Sequence, residues 1–363
     1  MTPELAPSAS PRGRAEAMSG DSSAVRGPLK GYHHETYVLS PPGGIGRVKL
    51  RSPRATAEWF DRRCFASEEE LLRGLGGRVE QVPEVVDVEG LGMQRFIEGR
   101  TLGAHWWWGR RVPEPVLAQI VRLFGQLVPI TAETLHVDRR CSPLDAPDDK
   151  DTDGFLERLV AFAEEQVWGR YRDRFGTLFG ELGVGDESFA HLRKNVLGLA
   201  PRPFCLLHAD LHRENFVIDP RGRLWTIDWE LAMVGDPLYD LATHLYLMRY
   251  PAGQRDRVIA DWRDTVEAVR PGSARGLDHD LGPLLDFKRA QSVYTDVVRV
   301  ALSLRDRGAA PRWPSLPRAA GRLHRALAAA AVPMGLTDVP EPQRIGDALA
   351  RWCRADAAGR GGA

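Results

Sequence analysis

Residues 208–216 read "HADLHRENF" and residues 227–230 read "IDWE", so Asp210, Asn215 and Asp228 stand beside short apolar runs. Polar side chains next to buried strands are costly unless they are satisfied or used. An aspartate on a loop ahead of a strand can accept a hydroxyl proton. An asparagine five residues later, at the strand's edge, can offer its amide oxygen to a hard cation. An aspartate at the end of the returning strand can hold the same ion. A positioned cation beside an aligned base is the arrangement phosphoryl transfer requires.

The elements that must position these residues are legible on either side. "FVID" and "LWTID" read as a hairpin around Pro220-Arg221-Gly222. Upstream, residues 31–53 predict two strands joined by Pro41-Pro42-Gly43-Gly44, with Arg47, Lys49 and Arg51 alternating onto one face of the second. Ser67 to Glu70 has the S-x-x-E form of a capping box, opening a short helix with Leu71, Leu72 and Leu75. Residues 82–99 predict two further short strands. Apolar residues then recur at helical spacing over 113–134, over 155–181, and from "DLATHLYLMRY" onward. Asp236 and Asp240 are expected to cap the helix that Pro237 begins.

"HADLHRENF", "IDWE" and "GDPLYDLA" together resemble the motifs of the aminoglycoside phosphotransferase and choline kinase-like family, most strongly over 204–245. The resemblance implies an α+β, bilobal protein kinase-like fold, with a small antiparallel-sheet N-lobe and a larger, mostly helical C-lobe. On that reading residues 1–26 are a flexible tail, 27–98 the nucleotide-binding lobe, 99–356 the second lobe and 357–363 a second tail. It assigns Asp210 as catalytic base and Asn215 and Asp228 as Mg²⁺ ligands, with ATP or another nucleoside triphosphate as donor. His208, His212 and Glu230 would support the loop. Lys49 is the strand lysine expected to meet the α/β-phosphates, and Glu69, in preference to Glu68, its helix partner. Backbone groups from His34 to Thr36 would reach phosphate, and those from Gln94 to Phe96 adenine. Ala209 departs from the family, which usually has glycine there. The lack of an A-P-E segment after Asp228 argues against a protein kinase.

The acceptor is less legible. "HWWWG" (105–109) predicts core packing more readily than a stacking platform. "DAPDDKDTDGF" (145–155) fails as an EF-hand loop, because Val160 stands where its last ligand belongs. Asp153 within it, and Asp296 on a late helix, are candidate acceptor contacts, the latter competing with an ion pair to Arg299.

Composition narrows the class further. Lys+Arg and Asp+Glu both number 49 in 363 residues, which argues against a general nucleic-acid binder. Four scattered cysteines predict neither zinc site nor disulfide framework, and no run could span a bilayer. A cytoplasmic enzyme is expected. Only five of the cations are lysines, a bias matching a high-GC genome. That bias favours a hydroxylated antibiotic as acceptor; a choline- or sugar-type metabolite, or nucleotide binding without turnover, are the alternatives.

Overall fold

In the computed structural model the described residues are 10–29, 31, 33–54, 58, 60, 62–105, 111–141, 146–305 and 312–360. An antiparallel sheet comes first. It contains β1 (Arg26–Leu29), β2 (His34–Leu39), β3 (Val48–Pro53), β4 (Val85–Val88) and β5 (Leu91–Arg95), in the order β1-β2-β3-β5-β4. The 31–53 hairpin forms as predicted, with His34 opposite Pro53 and Leu39 opposite Val48. Gly43 and Gly44 both adopt the left-handed conformation, which their turn needs and side chains resist.

Residues 11–19, expected within a flexible tail, instead form helix α1 (Pro11–Ser19). Ser10 caps it, accepting from Gly13 N at 3.1 Å. Ala15 and Met18 bury themselves against Tyr37, Leu39, Val48 and Met93, covering one face of the sheet. Arg14 donates to Ser52 Oγ at 2.7 Å. The tail expectation overlooked that a sheet this small must cover its apolar face with something.

Helix α2 (Glu68–Leu75) starts at Ser67, whose hydroxyl accepts from Glu70 N, and it buries Leu71, Leu72 and Leu75. Strand β6 (Arg100–Thr101) pairs antiparallel with β8 (Phe216–Ile218), and β8 with β9 (Leu224–Thr226), which is the predicted hairpin. β7 (Cys205–Leu207) and β10 (Met233–Gly235) flank that segment. The helices are α3 (Glu114–Leu127), α4 (Thr152–Phe162), α5 (Arg170–Glu181), α6 (Glu187–Asn195), α7 (Pro237–Met248), α8 (Ala252–Val269), α9 (Leu277–Ser303), α10 (Leu316–Met334) and α11 (Pro342–Arg360). A π-helical stretch, Ala163–Gly169, bridges α4 and α5. No described helix is long and apolar enough to cross a membrane.

The chain divides into two compact units, and not at residue 98 as expected. One unit comprises residues 1–141, 206–234 and 247–269; the other comprises 142–205, 235–246 and 270–363. The reason lies in β6, which joins the first segment to the hairpin, and in α3, which packs on α8 with Phe124 edge-on to Trp262 at 6.5 Å. The second terminal tail is likewise shorter than expected, because α11 continues to Arg360.

In the second unit Arg202 is fully buried. It is held by Asp236 at 2.6 and 2.7 Å and by Asp280 at 2.5 Å. Asp236 also accepts from Leu238 N at 2.9 Å, the predicted cap of α7. Burial opposes ionisation of Asp280, but Arg202 and neighbouring donors outweigh it and hold its pKa below the ordinary value. Removing Arg202 would leave two buried carboxylates facing each other. We expect Arg202→Ala to cost about 3–5 kcal/mol of unfolding free energy in denaturant titration of the full chain. An unchanged midpoint would refute this account of the triad.

Candidate active site

Asp210, Asn215 and Asp228 lie in the first unit, on the segment that β8 and β9 organise. Asn215 is buried; its Nδ2 donates to Asp210 O at 2.9 Å and to Asp210 Oδ2 at 3.0 Å. That orientation leaves the Asn215 amide oxygen for another partner. Its backbone carbonyl accepts from Ile227 N at 2.9 Å, tying the loop to the strand that delivers Asp228. Ala209 and Asp228 both have left-handed backbones, φ 63° and 66°. The first explains why glycine is usual at the Ala209 position, since a Cβ is disfavoured there.

His208 is a scaffold residue. Its ring is fully buried, 4.6 Å from the Trp229 ring, and its Nε2–H donates to Ile227 O at 3.1 Å. Burial lowers its pKa to about 4. His212 lies with Nε2 at 3.3 Å from Asp210 Oδ2. Burial opposes its protonation, but the Asp210 hydrogen bond and charge outweigh that and raise its pKa.

The cationic side of the site differs from expectation. Lys49 and Arg51 do share a face of β3, yet the pair with α2 forms between Arg51 and Glu68, not between Lys49 and Glu69. Arg51 Nη2 also reaches Glu230 at 3.0 Å and Asp228 at 3.2 Å, and His34 Nδ1 at 3.1 Å. Burial disfavours its charge, but Glu68, Asp228 and Glu230 more than compensate and bind its proton more tightly. Guanidinium geometry accounts for the choice, because its fork can serve several carboxylates at once where an ammonium is a point charge. Lys49, half-buried opposite Gln94 of β5, has no ion pair among the described residues. Burial lowers its pKa against the pull of Glu68. Glu69 is engaged elsewhere, accepting from Gln94 Nε2 and Ser67 Oγ, both at 3.1 Å.

Glu230, expected as one support of the loop, is a hub of ion pairs. Arg51, Arg63, His33 and His34 lie 3.0, 2.9, 3.3 and 3.6 Å from its carboxylate. Burial raises its pKa, but these partners overcome that and lower it to about 2. Burial raises the Asp228 pKa despite Arg51, and Asp210 and Lys49 also act on it, so Asp210 and both cations are its electrostatic neighbours. A cavity of about 290 Å³ opens beside this cluster, lined by His34, Arg51, Arg63, Arg140 and the start of α2.

Several expected contacts are used otherwise. Thr36 sits inside β2, between Leu29 and Arg51, rather than in a loop. Of the backbone groups expected at adenine, Phe96 N donates to Arg47 O at 2.8 Å, which removes it as a donor, while the Gln94 side chain turns to Glu69. Phe96 also lies under the Arg47 guanidinium at 5.2 Å. The Asp153 carboxylate accepts from Gly198 N and Leu199 N at 3.0 and 2.9 Å, and Asp296 pairs with Arg322 of α10 at 2.7 Å. Both candidate acceptor contacts are therefore occupied structurally. The Trp106–Trp108 cluster lies outside the described residues.

The oxygen donors fit a hard cation. No group of three or more His, Cys, Asp or Glu among the described residues could hold a metal. Mg²⁺, however, takes one or two protein carboxylate-type ligands and completes its shell with phosphate and water. Asp228 with the open oxygen of Asn215 meets that requirement.

A family model described as the phosphotransferase enzyme family matches residues 24–275. Among solved structures, a choline/ethanolamine kinase family protein from Mesorhizobium loti has 18% identity, covering 93% of this chain and 97% of its own, at TM-score 0.51. A choline kinase from Streptococcus pneumoniae has 18% identity over 85% and 92%, at 0.48. A macrolide 2′-phosphotransferase from Brachybacterium faecium has 16% identity over 88% and 94%, at 0.47. No curated protein sequence matches the chain. The expected α+β, protein kinase-like fold stands.

Two titrations should be visible in stability. His208 and His34 each have a pKa lowered to about 4, so between the ordinary 6.5 and 4 the unfolded chain binds more protons. Stability should fall as pH drops through that window, by on the order of 2–3 kcal/mol from His208 alone. Glu230 adds a loss between 4.5 and about 2. Denaturant midpoints from pH 7 to 4 check this, and a flat profile would contradict it.

Proposed function

The chain belongs to the phosphotransferase enzyme family, and on that premise we propose that it transfers the γ-phosphate of ATP, or another nucleoside triphosphate, to a hydroxyl of a small molecule. The observation that carries this reading is the joint placement of Asp210, Asn215 and Asp228, with Asn215 bonded to Asp210 and its oxygen open. Asp210 would accept the acceptor's proton. Asp228 and Asn215 would hold Mg²⁺, which when bound neutralises charge on the phosphates. Arg51, fixed by Glu68, is the cation we assign to the phosphates, in place of Lys49 as the sequence suggested. Lys49 lies on the same face as a second positive charge.

We place hydroxylated antibiotics first among acceptors, on the arginine-rich composition, ahead of choline- or sugar-type metabolites. The cytoplasm, where ATP is abundant, is the proposed location.

The test is Mg²⁺-dependent ADP release across a panel of hydroxylated antibiotics and small metabolites. We expect release with one acceptor class, reduced about 10²–10⁴-fold by Asp210→Ala with ATP binding retained. Absence of ATP binding by the native protein would sink the reading. In direct ATP titrations, Arg51→Met should weaken binding more than Lys49→Met does. The reverse order would return the phosphate role to Lys49.

A further inference from the structure

The Asp210 carboxylate is held through one oxygen. Oδ2 receives Asn215 Nδ2 at 3.0 Å and lies 3.3 Å from His212 Nε2. On the far side of the imidazole, His212 Nδ1 accepts the backbone N–H of Glu214 at 3.1 Å. A ring nitrogen that accepts carries no proton, so the proton of the neutral ring sits on Nε2, facing Asp210.

We propose that His212 is a positioning residue: locked in its Nε2–H tautomer by the Glu214 backbone, it engages Asp210 Oδ2 together with Asn215 and so turns Oδ1 toward the acceptor hydroxyl. This rests on the reading of Asp210 as the base. In the transfer, the acceptor O–H proton passes to Oδ1 as the new O–P bond forms. The bond from the γ-phosphorus to the bridging oxygen breaks, and ADP leaves with its electron pair.

The tautomer is set by the backbone framework around the loop. Gly103 N donates to Arg213 O at 3.1 Å, and Thr101 Oγ1 donates to Glu214 Oε2 at 2.8 Å. Gly103 packs closely here, since a Cβ there would displace the Glu214 carboxylate. Thr101 belongs to β6, which is paired with β8. Glu214 is thus fixed from outside the loop, and its N–H is aimed at His212 before any substrate arrives. The Asp210 charge favours an imidazolium, but protonating Nδ1 would cost the Glu214 bond. Above the raised pKa of His212 the neutral ring leaves the carboxylate its full negative charge while still fixing its rotamer. The two donors on Oδ2 act together, so losing either lets the carboxylate turn.

Histidine-labelled full-length protein gives a readout independent of turnover. Nitrogen-15 NMR at alkaline pH, above the His212 pKa that Asp210 raises, with the signal assigned by its loss in His212→Gln, should show His212 as the Nε2–H tautomer. An Nδ1–H tautomer would overturn the proposal. Kinetics supply the second arm, using whichever panel acceptor gives ADP release. His212→Leu should lower kcat by up to about 10²-fold while leaving the ATP KM within about twofold. His212→Gln, whose amide nitrogen reaches the Nε2 position, should recover most of that loss, and His212→Asn, which reaches only Nδ1, should not. Equal rates for the leucine and glutamine variants would overturn the positioning role. A native protein that shows the Nε2–H tautomer but no turnover with any acceptor would instead defeat the phosphotransferase reading.

Discussion

One guanidinium organises the site. Arg51 stands among Glu68, Asp228 and Glu230, three carboxylates drawn from helix α2 and from the end of the β8–β9 hairpin. Without it, three acidic side chains would crowd a half-buried space with mutual repulsion, and breaking such a cluster from one side is far costlier than never building it. The same contact fixes where α2 lies against β3 and where Asp228 points. Trp229 N donates to Glu68 Oε1 at 2.8 Å, so backbone and side-chain links reinforce each other. The charged cluster therefore also joins the sheet to the hairpin, adding to the β6–β8 pairing and the α3–α8 packing that keep the chain from dividing at residue 98.

The Asp210–Asp228 segment is also shaped by backbone that side chains ordinarily avoid. Ala209 and Asp228, one on each side of the hairpin, hold positive φ. Such conformations persist only where the surroundings over-determine them. Here the Asn215, Ile227 and His208 hydrogen bonds do so, each satisfying a polar group that would otherwise be buried unpaired. The strain aims two carboxylates into the same region instead of along opposite faces of a strand.

The local grammar of the site was readable in the sequence because it is carried by short-range spacing. The catalytic loop, the hairpin after it, the β2–β3 turn and the Ser67 cap all follow from residues within a few positions of one another. Choices between neighbours were not readable. Lys49 was favoured because the resemblance implies a strand lysine at the phosphates, yet arginine fills most cationic roles in this chain, and Arg51 sat on the same strand face. Glu68 and Glu69 differ only in which way one helical step turns them. The Glu230 hub depends on His33, His34 and Arg63, whose separation along the chain gives no periodic signal. Asp153 and Asp296 read as acceptor contacts only while their partners, Gly198, Leu199 and Arg322, were unknown. Helix α1 escaped notice because its Pro, Ser and Ala composition resembles a tail, and its two buried residues matter only once the sheet is known.

The interleaving of the two compact units bears on how the molecule is made. The first unit draws on residues 1–141, 206–234 and 247–269, and the second fills the intervals between and after them. During synthesis the first unit is incomplete until α8 has left the ribosome, by which time all of α4 to α7 has already emerged. Neither unit can then mature as an independent early domain, and much of the chain waits for partners distant in sequence, a topology that slows folding and prolongs exposure of apolar surface. Fragments cut at the apparent lobe boundary would each lack part of the unit they were meant to isolate.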